Sequence, residues 1–312
     1  MTRCRKGADE KLQAGSDPDV TGTRVLRVII SPAKTMNEDP DTLPAEGLPV
    51  FLPEAEQILS SLKALSYAEA KALWRCNDKL AELNFRRVRE MRLYEGDVPV
   101  CSGLTPAVIA YEGIQYRYLS PGTLEEGALR WISEHLRILS GFYGVLRPFD
   151  GVMPYRLEMQ AGLPVGGCRD LYEFWGDKIG RALRMPSGNA LLILNLASKE
   201  YAKAVGPYLR PEDRWLSCIF AERKDGRLCQ KATLAKMARG EMTRYLAETF
   251  SQMEGEETET KKMECEEAGP VCRPSGAMDE KVLLSVLKRF DRLGFSWSEA
   301  DSTERELVFI HG

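Results

Sequence analysis

Apolar residues in this chain come in two rhythms, and the changes of rhythm divide it into elements. VLRVIIS (25–31) is a continuous apolar run rich in β-branched residues and closed by Pro32, which predicts a buried strand. LRILSG (136–141) and ALLILNLAS (190–198) are runs of the same kind and predict central strands covered on both faces. PAVIAY (106–111) reads as a further strand and ELVFI (306–310) as a last one. WLSCIFAE (215–222) and GRLCQKAT (226–233) flank Arg223-Lys224-Asp225, which predicts a hairpin.

Helical spacing fills the gaps. Pro53 opens a helix predicted to reach Leu65, and Ser66 with Glu69 spells a capping box ahead of AEAKALW. A second helix starts near Asn77 and runs to about Arg92. Thr123 with Glu126 repeats the capping-box spelling before ALRWISEHL. RDLYEFWGDKIGRALR reads as one helix with Leu171, Phe174, Trp175 and Ile179 on one side, and two more are predicted from about Leu234 to Phe250 and over 281–293. Hairpins mixed with crossovers define an α/β protein rather than a plain doubly wound sheet.

Charge and composition change this picture at the ends. Residues 1–23 are polar and aperiodic, which predicts a disordered extension, with 24–312 as a single α/β domain. That domain is interrupted by an acidic, flexible insert at about 251–277, with roughly seven acids against three bases. The chain carries −3 overall. Since the insert holds roughly −4 and the extension roughly zero, the body sits near +1 and any nucleic-acid binding must come from a local patch. No apolar run approaches the roughly 20 residues that span a bilayer, and the N-terminus has no apolar signal core, so a cytoplasmic protein with no membrane partner is expected.

The eight cysteines are scattered without a C-x-x-C, and the two histidines, His135 and His311, fit no zinc-ligand spacing. Neither G-x-G-x-x-G after a strand nor G-x-x-x-x-G-K-[ST] occurs. No metal and no cofactor are therefore expected.

Four segments carry candidate chemistry. SPAKTM (31–36) presents Lys34 at the carboxyl end of a strand, where α/β proteins bind ligands, although a solvated loop lysine reads the same way. In the helix pair over 66–92, Lys79, Arg86, Arg89 and Arg92 form a drifting basic stripe, which Glu82 and Glu90 could neutralise by i,i+4 pairing. LSGFYGVLRPFDGVMPYRLEM (139–159) is apolar and rich in turn residues, yet holds Arg147, Asp150, Arg156 and Glu158. Buried ions need partners or a wet cleft, so this stretch is either an ion-pair brace or the wall of a groove. KMARGEMTRY (236–245) adds Lys236 and Arg239 on one helix. None of the four spells a nucleophile with a base and an orienter.

Taken together, IISPAKTM, NDKLAELN, HLRILSGFYGVLRPFDGVMPYRLEM, DLYEFWGD, NLASKEY, KMARGEMTRY and ELVF resemble, in order, the YaaA family of bacterial peroxide-stress proteins. The resemblance covers nearly all of 25–250 and the last strand. It implies a cytosolic protein that limits iron-driven oxidative damage and binds double-stranded DNA without sequence preference. The implied fold is a compact mixed sheet flanked by helices, with a helix-hairpin-helix element and a positively charged cleft. Carried over by position, the hairpin falls at 66–92, and the cleft candidates are Lys34, Arg147, Arg156, Glu158, Lys236 and Arg239. EGIQY (112–116) departs from the family pattern, with Ile114 where an acid is usual. The alternative function is an enzyme acting on a nucleotide, nucleobase or other phosphorylated small molecule in the same cleft. Direct iron ligation fits poorly with so few histidines.

Overall fold

The computed structural model describes residues 24–184, 188–264 and 276–312. The predicted extension over 1–23 lies outside the described residues, as does 265–275 of the acidic stretch.

In the first half of the chain, β1 (Arg24–Ile30) is followed by α1 (Leu52–Ala64), α2 (Tyr67–Trp74), α3 (Asp78–Glu90), α4 (Ile114–Leu119) and α5 (Glu126–His135). A hairpin of β2 (Leu136–Ser140) and β3 (Gly144–Leu146) comes next, then the short helices α6 (Leu171–Trp175) and α7 (Lys178–Ala182). The second half runs β4 (Leu191–Leu196), β5 (Arg214–Lys224), β6 (Arg227–Cys229) and α8 (Ala232–Glu264). It ends with β7 (Ala277–Met278), α9 (Glu280–Lys288), β8 (Phe295–Ser298) and β9 (Glu306–His311).

The main sheet is mixed, with spatial order β8-β9-β5-β4-β1-β2-β3 and with β6 and β7 on side branches. Its centre is parallel: β1 pairs with β4 and with β2, β4 with β5, and β5 with β9. The edges are antiparallel hairpins. Continuous apolar runs suit the central strands because helices cover both faces, and Val25, Leu26, Val28, Ile29 and Ile30 of β1 are all buried. The chain leaves β1 to one side to make β2, then returns past it to make β4 on the other side. The carboxyl ends of β1 and β4 thus flank a topological switch point, the place where open α/β sheets leave a crevice.

Several expectations need correction. PAVIAY is not one strand: only its ends, Pro106 and Tyr111, pair as strand, and Ala107–Ala110 between them is one helical turn, with the Ala107 and Val108 amides donating to the carbonyls of Asp150 and Pro148 at 2.9 Å. A short apolar run buried on all sides carries no period that separates helix from strand. The helix expected over 169–184 is broken at Gly176, whose φ of +47° suits glycine, leaving α6 and α7. The Thr123–Glu126 capping box does not form; Glu125 is the N-cap, and the Thr123 hydroxyl donates instead to the Ser120 carbonyl at 3.0 Å. The hairpin turn sits at Asp225-Gly226, both with positive φ, so β5 runs two residues further than expected. Helix α8 continues through Glu264, into the acidic stretch.

Other local signals were followed. Ser66 and Glu69 close their capping box, and the Asn77 side chain caps α3 by accepting from the Leu80 amide at 3.0 Å. Only Arg75 in the left-handed region, Cys76 and Asn77 separate α2 from α3.

Candidate functional site: a cavity at the sheet's switch point

Ser31 follows β1 directly, Ser198 stands two residues beyond β4, and the Ser31 hydroxyl accepts the Ser198 amide at 2.8 Å, tying the two strand ends together. Beside this clasp opens a cavity of about 490 Å³. Its charged lining is Lys34, Glu112, Arg156, Glu158, Glu200, Lys236 and Arg239, four cations against three carboxylates. Gln115, Tyr116 and Tyr201 complete the polar wall.

Each side chain arrives for a local reason. Lys34 stands in the loop that leaves β1. The segment 153–159 joins no strand; it buries Tyr155 and brings Arg156, Leu157 and Glu158 together onto the cavity wall. Gly141 permits this path, because a β-carbon there would stand 2.9 Å from the Leu157 carbonyl oxygen. Lys236 and Arg239 come from the first turns of α8. Gly240 lets α8 lie against α4 so closely that a β-carbon would stand 2.0 Å from the Gln115 carbonyl oxygen.

Electrostatically, Glu158 is the pivot. Its carboxylate accepts from Lys34 Nζ at 2.9 Å and stands 3.8 Å from the Arg156 guanidinium, which also donates to the Lys34 carbonyl at 3.1 Å. Burial alone would raise the Glu158 carboxyl, but the Lys34 hydrogen bond and charge, with help from Gln160 and Arg156, take it below the ordinary carboxylate range. Glu200 is shifted upward instead, by burial and then by the neighbouring Glu158 charge. Burial lowers the Arg239 guanidinium and raises the Tyr116 and Tyr201 hydroxyls well above their usual range.

The donors are the notable feature. Among the described residues, the buried side-chain nitrogens without a partner, tryptophans apart, are Gln115 Nε2, Arg156 Nε and Arg239 Nε, and all three residues line this one cavity. A buried donor left unmade costs about 1–3 kcal/mol, more when charged. All three belong to residues that line one hollow, so a small side-chain rotation would turn them toward acceptor atoms on an anion or a polar ring.

Five of the six cleft residues expected from the sequence therefore meet here: Lys34, Arg156, Glu158, Lys236 and Arg239. Arg147 does not. Strand β3 runs antiparallel to β2 and carries Arg147 and Asp150 to the amino end of β2, where they line a different cavity. Within about ten residues the chain then crosses to the opposite end of the sheet, so the charges of 139–159 serve two places. Sequence reasoning missed Glu112, Gln115, Tyr116, Glu200 and Tyr201. Glu200 and Tyr201 were open to the rule that singled out Lys34, since they follow the carboxyl end of a central strand.

The basic stripe on α3 lies apart from the cavity lining. Lys79 and Arg86, seven residues apart, share a face and are exposed. Arg89 is spent on the protein, donating to the Leu65 carbonyl at 3.0 Å and stacking 4.8 Å above the Phe85 ring, while Arg92 lies beyond the end of α3. Neither Glu82 nor Glu90 forms an ion pair with Arg86 among the described residues. Arg87, unforeseen, reaches the Met36 carbonyl at 3.4 Å, two residues from Lys34.

These features define an α/β protein built around a donor-rich cavity at the switch point of a largely parallel sheet. A model of the peroxide stress protein YaaA family matches residues 26–266. The chain belongs to that family. It is also similar to proteins named UPF0246 from Lachnoclostridium phytofermentans, 45% identical over 92% of this chain and 97% of the relative, and from Lactiplantibacillus plantarum, 49% identical over 92% and 99%. A third, from Desulfitobacterium hafniense, is 41% identical over 91% and 98%. No helix among the described residues is long and apolar enough to cross a membrane.

Proposed function

We propose that this peroxide-stress family member is a cytoplasmic protein that binds double-stranded DNA without sequence preference and so limits iron-driven oxidative damage to it. In this reading the α2–α3 pair acts as a helix-hairpin-helix that grips the phosphate backbone, and the switch-point cavity with its lysines forms the basic cleft beside it. The observation that carries the reading is the free state of the stripe: Lys79, Arg86 and Arg92 are exposed and form no side-chain ion pair or hydrogen bond among the described residues. Cations left to solvent on one side of a short αα-hairpin suit phosphate contacts, which position a duplex without reading it. Arg87, anchored at Met36, links this hairpin to the loop that carries Lys34. A gel shift with a short duplex at low salt tests it. Binding should weaken steeply with salt and vanish in Lys79→Glu/Arg86→Glu; a wild-type protein that fails to shift the duplex ends the proposal.

A second reading is favoured by the unpartnered donors of Gln115, Arg156 and Arg239. On it the cavity takes a nucleotide, nucleobase or other phosphorylated small molecule, with Glu158 or the raised Glu200 carboxyl available for proton transfer. Stabilisation by a mononucleotide that is lost in Arg239→Met, with no duplex shift, decides for this reading over the first.

A further inference from the structure

Arg147 lines a second cavity, of about 800 Å³. Four arginines line it: Arg27 from the middle of β1, Arg130 from α5, Arg137 from β2 and Arg147 from the end of β3. Glu46, Glu126, Glu134 and Asp150 line it too. It lies at the amino end of β2, whereas the switch-point cavity lies at the carboxyl ends of β1 and β4. The two share no lining residue.

The arginines are unequally engaged. Arg27 is a structural tie, donating to the carbonyls of Leu183, Leu26 and Glu134, each at 3.1 Å. Arg137 uses one terminal nitrogen, on the carbonyls of Ser133 and Leu136 at 3.1 and 2.6 Å. The Arg147 side chain is exposed and, among the described residues, makes no hydrogen bond or ion pair. Asp150, the acid closest in sequence, accepts from the Arg147 backbone amide at 2.8 Å. Glu46 and Glu126 are exposed.

We propose that this cavity binds a compact phosphate dianion, inorganic phosphate or a small phosphate monoester, between the free edges of Arg137 and Arg147 with Arg130 alongside. Planar guanidinium forks match tetrahedral phosphate oxygens two at a time. The cations here stand close enough to disfavour one another. Burial first, then the charges of Arg27 and Arg147, bring Arg137 down to about 9, and burial brings Arg27 to about 10. Burial also pushes Asp150 up to about 6, so the acid inside the cavity is itself penalised for its charge. Asp150 and Glu134 offset part of this crowding at Arg137, and a bound dianion would offset the rest. The exposed carboxylates of Glu46 and Glu126 repel any further phosphates, which selects a small ligand over a nucleic-acid strand.

The test is thermal unfolding of the full chain against inorganic phosphate, with chloride at matched ionic strength. Above half-saturation the midpoint should rise by about 2–4 °C for each tenfold increase in phosphate. Arg147→Ala, an exposed truncation that leaves the core intact, should move that curve to at least tenfold higher phosphate. Arg137→Lys, which keeps the charge and loses the fork, should do the same, and Lys281→Ala on the exposed face of α9 should not. Stabilisation that persists in Arg147→Ala but disappears in Arg239→Met assigns the phosphate to the switch-point cavity and overturns the proposal. So does the absence of any midpoint shift. Neither result bears on duplex binding, which rests on α3.

Discussion

Replacing Gly240 by alanine should destabilise this protein, although the same change in most helices stabilises. Gly240 lies within α8, where alanine gains about 1 kcal/mol over glycine from helix propensity alone. Here the added β-carbon would stand 2.0 Å from the Gln115 carbonyl oxygen, 2.9 Å from its carbon and 3.0 Å from Tyr118 Cβ. The first two are backbone atoms, so no side-chain rotation relieves the contact. To reach an ordinary 3.4 Å contact, α8 and α4 must part by about 1.4 Å along that line. Overpacking of this kind costs about 1–3 kcal/mol, and the upper end applies where backbone meets backbone. The net loss is about 2 kcal/mol after the propensity gain. Urea unfolding followed by tryptophan fluorescence measures it; with a slope near 3 kcal/mol/M the midpoint falls by roughly 0.7 M. Separation of the two helices should also loosen the cavity wall formed by Lys236, Arg239 and Gln115, and weaken any ligand-induced stabilisation. A midpoint at or above wild type would refute the close approach of α4 and α8, and with it the cavity geometry.

Two further predictions follow from buried charges. Asp213 is fully buried at the side chain, paired with Arg184, and accepts from the Leu191 and Arg210 amides at 2.9 and 2.7 Å. Asp213→Ala strands the guanidinium and two amides and should cost about 3–5 kcal/mol by urea unfolding; a loss under 1 kcal/mol would show the pair to be dispensable. His135 and Asp150 should give stability opposing slopes in pH. Burial lowers His135 to about 4 from 6.5, so the unfolded chain takes the proton first and stability falls by up to about 3 kcal/mol as pH drops from 6.5 to 4. Burial raises Asp150 to about 6 from 3.8, so the folded chain holds its proton more tightly and stability falls by up to about 3 kcal/mol as pH rises from 4 to 6. The two nearly cancel between pH 4 and 6 in the wild type, so Asp150→Asn should leave stability rising with pH there and His135→Gln should leave it falling; parallel profiles for the two variants would contradict both assignments.

The sequence by itself determined the central strands, the α2 and α3 caps and the family. VLRVIIS and ALLILNLAS can only be buried on both faces, and Ser66 with Glu69 and Asn77 with Leu80 are closed by bonds that span three residues. Such signals are local, so they survive in a linear string. Five residues of the cavity were also legible: the charges of Arg156 and Glu158 in an apolar stretch needed water or a partner, and the family resemblance added Lys34, Lys236 and Arg239. What tertiary structure decided was direction and neighbourhood. Nothing in LRPFDGVMPYRLEM says that Arg147 turns to one end of the sheet and Arg156 to the other; the antiparallel step from β2 to β3 sends the first away, and the return of 153–159 past Gly141 brings the second back. Gln115 has no spelling that marks it either. It faces the cavity because α8 can press onto α4 at Gly240, a contact between residues more than a hundred positions apart, and short-range patterns carry no information about distances of that kind.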